Sequence, residues 1–323
     1  MILLNETLHE LGEIECDIDA EVGTTSASTN DFKLNSNAFF AKDAAAFYVP
    51  GTEVGGIFEY SKNKTDQDYS TLKGYTWRGL MAMKIIVPPS GSNYKIVSGE
   101  ANAIIRSMLS GMLDDFFTVS TESSGLTISN YQFPLYINML DGLEEMLEQY
   151  NYRLQITAQK VASNQPVIIK VEAVKAQMIK GTYNEDNGIP MTFEIDKMGI
   201  NHLICGGSGT LQNRMIRHLY IDNNGKVSNT QYYTGFEERQ KFYDFANAES
   251  EDDLISNGKK RLLEIASRKT LTMKAPDDYN LDIGDIIQGV FPDGTIIRRP
   301  IVQKIYKISD GVLTCDYKIK GEE

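Results

Sequence analysis

The segment CGGSGTLQNR, from Cys205 to Arg214, is where the glycine spacing of this 323-residue chain comes nearest to that of a reactive loop. A phosphate-binding loop needs Lys and then Ser or Thr after its second glycine, and a dinucleotide-binding loop needs glycine at the position of Gln212. A nucleophile elbow built on Ser208 needs glycine at the position of Thr210, with a histidine and an acid supplied from elsewhere. The segment therefore predicts a backbone turn that uses the positive φ angles of glycine, and no catalytic loop.

Side chains that bind metals are few in this chain, and they stand at the wrong spacings. The histidines and cysteines are His9, His202, His218, Cys16, Cys205 and Cys315. No two histidines form a His-x-x-x-His pair and no two cysteines form a Cys-x-x-Cys pair, so neither a zinc site nor a disulfide framework is indicated. The sequence thus predicts no metal, no cofactor and three reduced cysteines.

Neighbouring carboxylates are the remaining candidates for chemistry, because a pair of them can cleave a glycosidic bond. Glu144 and Glu145 are such a pair, but adjacent residues on a helix diverge by about 100° and cannot face one bond from both sides. We interpret them, with Glu148, as the solvated side of a helix. Without another constellation of reactive groups, the chain is predicted not to be an enzyme.

Composition narrows the class of partner. The chain has 44 acidic residues against 32 Lys and Arg, which gives a formal net charge of −12. A surface that wraps nucleic acid must present clustered basic residues, so sequence-specific binding of nucleic acid is not expected.

The N-terminal apolar run is too short for a membrane span and lacks the basic flank of a signal peptide, so synthesis in the cytoplasm is predicted. A chain of this length can form two or three domains of on the order of 100–200 residues.

An alternating strand is predicted from Glu13 to Gly23, EIECDIDAEVG. Its apolar residues occupy every second position, as in a strand with one buried face. The other face carries acids, among them Glu15, Asp17, Asp19 and Glu21. A calcium loop is the less favoured interpretation, because its glycine is displaced to Gly23 and Ser28 stands where a bidentate glutamate is required.

The only tryptophan lies in a second alternating run, from Thr71 to Pro89. Tyr75 and Trp77 share its apolar face, and the two prolines at its end stop the strand. A ligand platform is the alternative, but a tryptophan continuous with apolar neighbours on one strand face is more often part of a core. We therefore predict Trp77 and Tyr75 to be core anchors.

The centre of the chain changes to helical periodicity. Apolar residues at helical spacing predict helices from Gly99 to Phe117 and from Leu135 to Tyr150, followed by strands at YRLQITA and VIIKVEAV. A late helix at 250–268 begins with a capping box of Ser250 and Asp253. Short strands and turns fill the rest, so the predicted fold class is α+β and mainly β. The predicted division is a β-rich module at 1–92, an α/β insert at 93–178 and a second β-rich module, with the late helix, at 179–323.

Several of these segments, in this order, resemble the siphovirus-type tail hub, or baseplate hub, proteins of phages and phage-tail-like particles. The matching segments are the acidic strand, GGIFEY at 55–60, TLKGYTWRGLMAMKIIVPP at 71–89, GEANAIIRSML at 99–109, MTFEIDKMGINHL at 191–203, CGGSGTLQNR at 205–214, the late helix and LDIGDIIQG at 281–289. They are specific in combination only, and together they cover most of the chain.

The resemblance implies a homotrimer in which two tube-like β modules per chain surround a central channel and the α/β insert braces them. It implies contacts with tail tube or distal tail proteins on one side, and with a tip spike, a fibre or a tape-measure protein on the other. The expected location is the tail tip of the virion, after assembly in the cytoplasm of the host bacterium.

The acidic strand face has a candidate role within that expectation. An electronegative channel wall repels a DNA phosphate backbone, so DNA passes without binding to it. Glu15, Asp17, Asp19 and Glu21 are the candidate channel-lining residues. An ordinary solvated strand face is the alternative, and the sequence leaves both open.

Two further classes of function are carried as alternatives. A tail-associated cell-wall hydrolase would need a catalytic domain after the hub fold, for which we expect no room after the last strand. A carbohydrate-binding module would use Trp77, Tyr75, Tyr232 and Tyr233 as exposed stacking residues. Exposure of Trp77 and clearing of cell walls are the observations that separate these alternatives from a hub.

Overall fold

The structure of the chain is a computed structural model. It describes residues 1–36, 44–63, 70–113, 116–178, 191–196, 198–222, 225–248, 250–266, 268–274, 281–290, 296–309 and 311–320. Contacts divide the chain into a first unit, Met1–Met191 with Met273–Ile319, and a second unit, Thr192–Thr272 with Lys320–Glu323. The sequence predicts turns at SKNKTDQD (61–68), DNNG (222–225), PDG (292–294) and SDG (309–311), and these fall wholly or partly outside the described residues.

Strands outnumber helices, so the predicted α+β and mainly β class is confirmed. The strands are β1 (Ile2–Leu4), β2 (Glu10–Glu13), β3 (Asp17–Gly23), β4 (Asp31–Ser36), β5 (Ala46–Tyr48), β6 (Gly55–Asn63), β7 (Ser70–Thr76), β8 (Ile96–Glu100), β9 (Phe117–Val119), β10 (Thr127–Gln132), β11 (Tyr152–Lys160), β12 (Val167–Lys175), β13 (Met191–Asp196), β14 (His202–Gly206), β15 (Ile216–Ile221), β16 (Val227–Ser228), β17 (Gln240–Asp244), β18 (Arg268–Lys274), β19 (Ile286–Val290), β20 (Ile296–Ser309) and β21 (Val312–Ile319). The helices are α1 (Trp77–Ala82), α2 (Ala101–Leu109), α3 (Met139–Glu148) and α4 (Glu251–Ile265).

A long antiparallel sheet runs through the first unit in the order β21-β20-β3-β4-β7-β6-β5-β1-β2, and β19 also pairs with β20. The pairing of β20 with β3 brings the late part of the chain back to its beginning, with Lys307 opposite Asp19. Sequence order and spatial order therefore differ, and residues 273–319 belong to the first unit. The three-part division at 1–92, 93–178 and 179–323 stays a prediction about order along the chain.

The α/β insert shares a hydrophobic core with the strands that precede it. Trp77 and Met81 of α1 lie in one buried cluster with Ile105 of α2, Leu143 of α3 and Ile169 of β12. Burial of apolar surface on both sides of this contact is the dominant force that fixes two segments together. The insert is for this reason part of the first unit rather than a separate body.

The strand predicted from Thr71 to Pro89 is wrong beyond Thr76, where the chain turns into helix α1. The Thr76 hydroxyl caps this helix by accepting from the Gly79 N–H at 3.4 Å, and it donates to the Asn30 carbonyl at 3.0 Å. Threonine is a favoured N-cap residue because its side chain satisfies a backbone N–H of the first turn. A change of period at a threonine inside an alternating run is the sequence signal that predicts this break.

The other helices are shorter than predicted. Helix α2 is capped by Glu100, whose carboxylate accepts from the Ala103 N–H at 3.0 Å. Helix α4 begins after Ser250, as the capping box predicts, with the Ser250 hydroxyl accepting from the Asp253 N–H at 3.1 Å. The predicted end at residue 268 is wrong, because α4 stops at Ile265 and Arg268 already starts β18.

The second unit contains a sheet in the order β16-β15-β14-β17, and α4 packs on β14 and β15. The helix approaches closely at Gly258. A Cβ atom there would lie 2.6 Å from Cys205 Sγ and 2.7 Å from Leu219 Cδ1. The glycine therefore sets the distance between helix and sheet.

Gly258→Ala is expected to destabilise the second unit by about 1–3 kcal/mol through overpacking. A loss of stability is informative here, because replacement of glycine by alanine on an exposed helix face stabilises a protein by up to about 1 kcal/mol. Opening of this unit exposes Cys205, whose pKa is raised to about 11 by burial. Labelling of the Cys205 thiol, followed by peptide mass spectrometry, is expected to be faster in the variant. Ser256→Ala, on the exposed side of α4, is the matched control with no expected change.

Candidate functional site

Seven charged side chains in the first unit form two groups of ion pairs, which we together name the buried charge network. They are Glu53, Arg78, Glu144, Arg153, Asp282, Asp285 and Lys304. They come from α1, α3, β11, β20 and the segments that precede β6 and β19. The network thus joins the α/β insert to both halves of the long sheet.

Arg78 is the centre of the first half of the network, and only 1% of its side chain is exposed. Its guanidinium donates to Glu53 and Glu144, and Nη2 donates to the Leu154 carbonyl at 3.0 Å. Burial alone would lower the pKa of Arg78, but the carboxylates of Glu53 and Glu144 outweigh it and raise the pKa. Arg78 is therefore a permanent cation held by three parts of the chain.

Arg153 and Lys304 are the cations of the second half. Arg153 Nε donates to Asp285 Oδ1 at 2.9 Å, and Lys304 Nζ donates to Asp282 Oδ1 at 2.8 Å. Burial opposes the charge on Asp282, yet Lys304 and Arg153 lower its pKa below the usual range. Asp285 also accepts from the backbone N–H of Gln177 at 2.8 Å, so it fixes the end of the insert to the segment before β19.

The interpretation of Glu144 as part of a solvated helix face is wrong. Its side chain is 13% exposed and binds Arg78, while one carboxylate oxygen, Oε2, is buried without a hydrogen-bond partner among the described residues. Helical periodicity places Glu144 at the border of the apolar face of α3, and only the position of Arg78 in space decides that it points inward. A single arginine inside the apolar run of α1 was the sequence signal for a buried carboxylate partner.

Glu144 makes the stability of the first unit depend on pH. Burial raises the pKa of Glu144 from 4.5 to about 7, and the charge of Arg78 only partly opposes this. The folded state therefore holds this proton more tightly than the unfolded state does. The resulting stabilisation is fully present below pH 4.5 and is lost as the pH rises to about 7.

Glu144→Gln is expected to remove this contribution to the slope of unfolding free energy against pH between 4.5 and 7, because glutamine does not titrate. Urea unfolding followed by Trp77 emission at a series of pH values measures the slope. Glu145→Gln, the exposed neighbour on the same helix, is the control and should keep the slope of the parent. Equal slopes for parent and Glu144→Gln would contradict the expected titration.

The predicted acidic residues of β3 lie on the solvent-exposed face of the sheet. Glu15, Asp17 and Asp19 are exposed and Glu21 is partly exposed, and they alternate with buried residues such as Ile18 and Ala20. Glu15 precedes β3, which begins at Asp17 and not at Glu13 as predicted.

Cross-strand pairing changes the charge of this face. Asp19 lies opposite Lys33 of β4 on one side and opposite Lys307 of β20 on the other. Glu21 accepts from the Gln303 amide at 2.7 Å. The face is therefore a mixture of acids and lysines, where the isolated strand predicts acids only. This difference could not be read from β3 alone, because both lysines come from other strands.

The two predicted core anchors have different positions. Trp77 is fully buried, with its ring centroid 5.6 Å from that of Phe116. Tyr75 is 39% exposed, so its prediction as a core residue is wrong. The reason is the alternation of β7, in which Leu72, Gly74 and Thr76 face inward and Tyr75 points the other way.

The histidines of the second unit form a chain of hydrogen bonds. His202 is buried, with Nδ1 2.6 Å from Glu238 Oε1 and Nε2 2.7 Å from His218 Nδ1. If Nδ1 of His202 donates to the Glu238 carboxylate, Nε2 accepts from His218 and both tautomers are fixed. Hydrogen bonds from Gln240 and from His202 lower the pKa of Glu238. No group of three or more His, Cys, Asp or Glu that could hold a metal is found within the described residues.

The glycine-rich segment forms a turn. Gly209 has a φ angle of +98°, and a Cβ atom there would lie 2.4 Å from the Asn213 carbonyl oxygen. Arg214 closes the turn by donating to the carbonyls of Gly207 at 3.1 Å and Gly206 at 3.2 Å. The glycines thus allow the two sides of the turn to approach each other closely.

No protein-family model matches this chain. No curated protein matches it either. No helix in the described ranges is both long and apolar enough to cross a membrane.

Solved structures of phage tail and baseplate proteins are similar to the chain. The tail protein from Neisseria meningitidis MC58 is 10% identical, with 94% of this chain and 91% of that chain covered and a TM-score of 0.42. The 43 kDa tail protein of prophage MuSo2 from Shewanella oneidensis is 10% identical, with 94% of each chain covered and a TM-score of 0.43. The phage P2 baseplate in its activated conformation is 11% identical, with 96% and 88% covered and a TM-score of 0.39.

Proposed function

We propose that this chain is a structural component of the tail of a phage or phage-tail-like particle. In this proposal it is the hub: three copies form a ring that joins the tail tube, or a distal tail protein, to the tip spike, fibre or tape-measure end. DNA passes through the ring. The chain then resides at the tail tip of the virion after assembly in the host cytoplasm, and it performs no catalysis.

The main observation in support of the proposal is that the buried charge network holds the long sheet and the α/β insert together. Arg78 alone holds Glu53, Glu144 and the Leu154 carbonyl, which lie far apart in the sequence. Removal of one partner from a buried ion pair costs about 3–5 kcal/mol, so these segments do not separate readily. Such a unit suits a part that transmits force between two assemblies. The order of segments that resemble tail hub proteins supplies the class of assembly.

The acidic residues keep their candidate role as channel lining in this proposal. In the register of β3, Asp17 lies opposite Asn35 of β4 and Glu21 lies opposite Ile305 of β20, whereas Asp19 lies between two lysines. The acidic residues would repel DNA phosphates at the wall of the channel. A structure of the assembled ring with these side chains on its outer perimeter would end the lining proposal.

The proposal is tested on purified particles. Gold-labelled antibody against the chain is expected at the tube end that carries the tip, and mass spectrometry is expected to give three copies per particle. Labelling along the whole tube, or absence from the particles, would contradict it. A zymogram on bacterial cell walls is expected to be blank, and clearing would favour the hydrolase.

The carbohydrate-binding alternative lacks the main side chain that it would use to stack on a sugar. Trp77 is fully buried and cannot stack on a sugar. Tyr232 and Tyr233 meet edge to face at an interplanar angle of 77°, so they do not form one flat surface. The expected fluorescence of Trp77 is blue-shifted and unchanged by cell-wall sugars.

A further inference from the structure

Seven large apolar side chains of the first unit are exposed on three neighbouring segments, and we name them the apolar patch. They are Met83, Ile85, Val87, Tyr94, Ile96, Leu135 and Tyr136, with exposed fractions of 38% to 65%. The segments lie side by side, because the Ile86 N–H donates to the Ile137 carbonyl at 2.9 Å and the Phe133 N–H donates to the Lys95 carbonyl at 3.0 Å. The patch thus joins the turn after α1 to β8 and to the segment before α3.

The size of the patch fits half of a protein interface. A large side chain presents on the order of 200 Å² when fully exposed, so the seven together, about half exposed on average, expose on the order of 700 Å². The largest apolar patch on a typical monomer is about 300–600 Å², and a stable interface covers about 800 Å² on each partner. A partner chain that covers the patch and its rim would reach that area.

The charge around the patch differs from that of the chain as a whole. Residues 83–99 and 123–140 contain no acid, and their only charged residues are Lys84 and Lys95. The whole chain carries −12, so the rest of it is more acidic still. Two patches placed face to face would oppose their lysines, so a symmetric contact of patch with patch is disfavoured.

The N-terminal part of the chain has the opposite charge composition to the apolar patch, with acids in place of the lysines. Residues 1–32 contain no Lys or Arg. Strand β2 lies at the end of the long sheet and, in the described part of the chain, pairs only with β1. We name Leu11, Glu13 and Glu15 the acidic edge: all three are exposed, and no ion pair of the two glutamates is found among the described residues.

We propose that the apolar patch of one copy binds the acidic edge of a second copy, head to tail. Leu11 meets the apolar residues, Glu13 and Glu15 meet Lys84 and Lys95, and the open side of β2 is covered. Glu15 then lies between copies, so the candidate channel lining is Asp17, Asp19 and Glu21. A contact between two different surfaces of the same chain forms a closed ring or a filament, according to the rotation between copies. This inference rests on the proposed ring and assigns the two surfaces that would form it.

Sedimentation of the full chain as a function of concentration and salt tests the contact. We expect reversible self-association that weakens as salt rises, because ion pairs at the rim of the patch are screened. Lys84→Glu with Lys95→Glu should weaken association about tenfold or more, and Glu13→Lys with Glu15→Lys should do the same. All four changes together restore opposite charges across the contact and should recover association.

Controls separate this contact from misfolding. Lys62→Glu with Lys175→Glu reverses two exposed lysines elsewhere in the first unit and should leave association unchanged. Val87→Ser should weaken association without a change in salt dependence, because it removes apolar contact only. Blue-shifted Trp77 emission shows that each variant is folded.

Three results would overturn the inference: a chain that stays monomeric up to about 100 µM, charge reversals without effect, or a fourfold variant that associates no better than the pairs. The labelling of particles is independent of these measurements. A chain found at the tail tip but monomeric in sedimentation rejects the head-to-tail contact and leaves the proposed function standing.

Discussion

Replacement of Arg78 by methionine is expected to destabilise the first unit by about 3–5 kcal/mol. The change leaves the carboxylates of Glu53 and Glu144 buried without a cation, and it removes the donor to the Leu154 carbonyl. Methionine keeps much of the volume, so the loss reports charge and hydrogen bonding rather than a cavity. Urea unfolding at pH 8, followed by the emission of Trp77, measures it, because most of the Glu144 in the parent is then ionised and paired with Arg78.

The combination of Arg78→Met with Glu53→Gln and Glu144→Gln separates the two possible origins of this loss. Removal of both sides of a buried pair can be nearly neutral, so the triple variant should recover much of the stability. Lys170→Met is the control, since its pair with Glu172 is partly exposed and should contribute about 0–1 kcal/mol. A triple variant as unstable as Arg78→Met would show that arginine packing, not uncompensated charge, is responsible.

Trp77→Ala is expected to cost about 3–5 kcal/mol, because it opens a cavity among residues that are almost fully buried. Trp77→Phe should cost clearly less, for two reasons. Phenylalanine fills most of the site, and it removes an indole N–H that is buried without a partner among the described residues. Thermal unfolding by circular dichroism measures both variants, since they lack the fluorescent reporter.

Gly55 supplies a check on the packing around Trp77. A Cβ atom at Gly55 would lie 2.5 to 2.7 Å from the Trp77 ring, so Gly55→Ala alone should be strongly destabilising. The smaller ring of Trp77→Phe makes room for it, and the double variant should be more stable than the sum of the single effects predicts. If the two single effects on stability simply add, the strain caused by Gly55→Ala does not come from the Trp77 ring.

Local features of the fold could be predicted from the sequence. The alternation of Ile18, Ala20 and Val22 correctly predicted the buried face of β3, and the capping box of Ser250 and Asp253 correctly predicted the start of α4. These features depend on side chains within a few residues of one another. The break at Thr76 is also local, but the alternating residues on either side of it concealed the cap.

The features that distant residues create could not be predicted. Lys33 and Lys307 approach Asp19 only through the pairing of β3 with β4 and β20. Glu144 is drawn inward by Arg78, 66 residues away in the chain. The histidine chain from Glu238 through His202 to His218 likewise depends on the register of the second unit's sheet. Periodicity reports which face of an element is buried, and it does not report which element covers it.

The pairing of β20 with β3 has a consequence for synthesis on the ribosome. Strand β3 meets β4 soon after it emerges, but its other edge stays open until residues 303–308 have been translated. Incomplete chains therefore expose an unpaired strand, which is prone to aggregate and is recognised by chaperones and proteases. Only polypeptides that extend past residue 308 can pair this edge of β3, so shorter products are expected to aggregate or to be degraded.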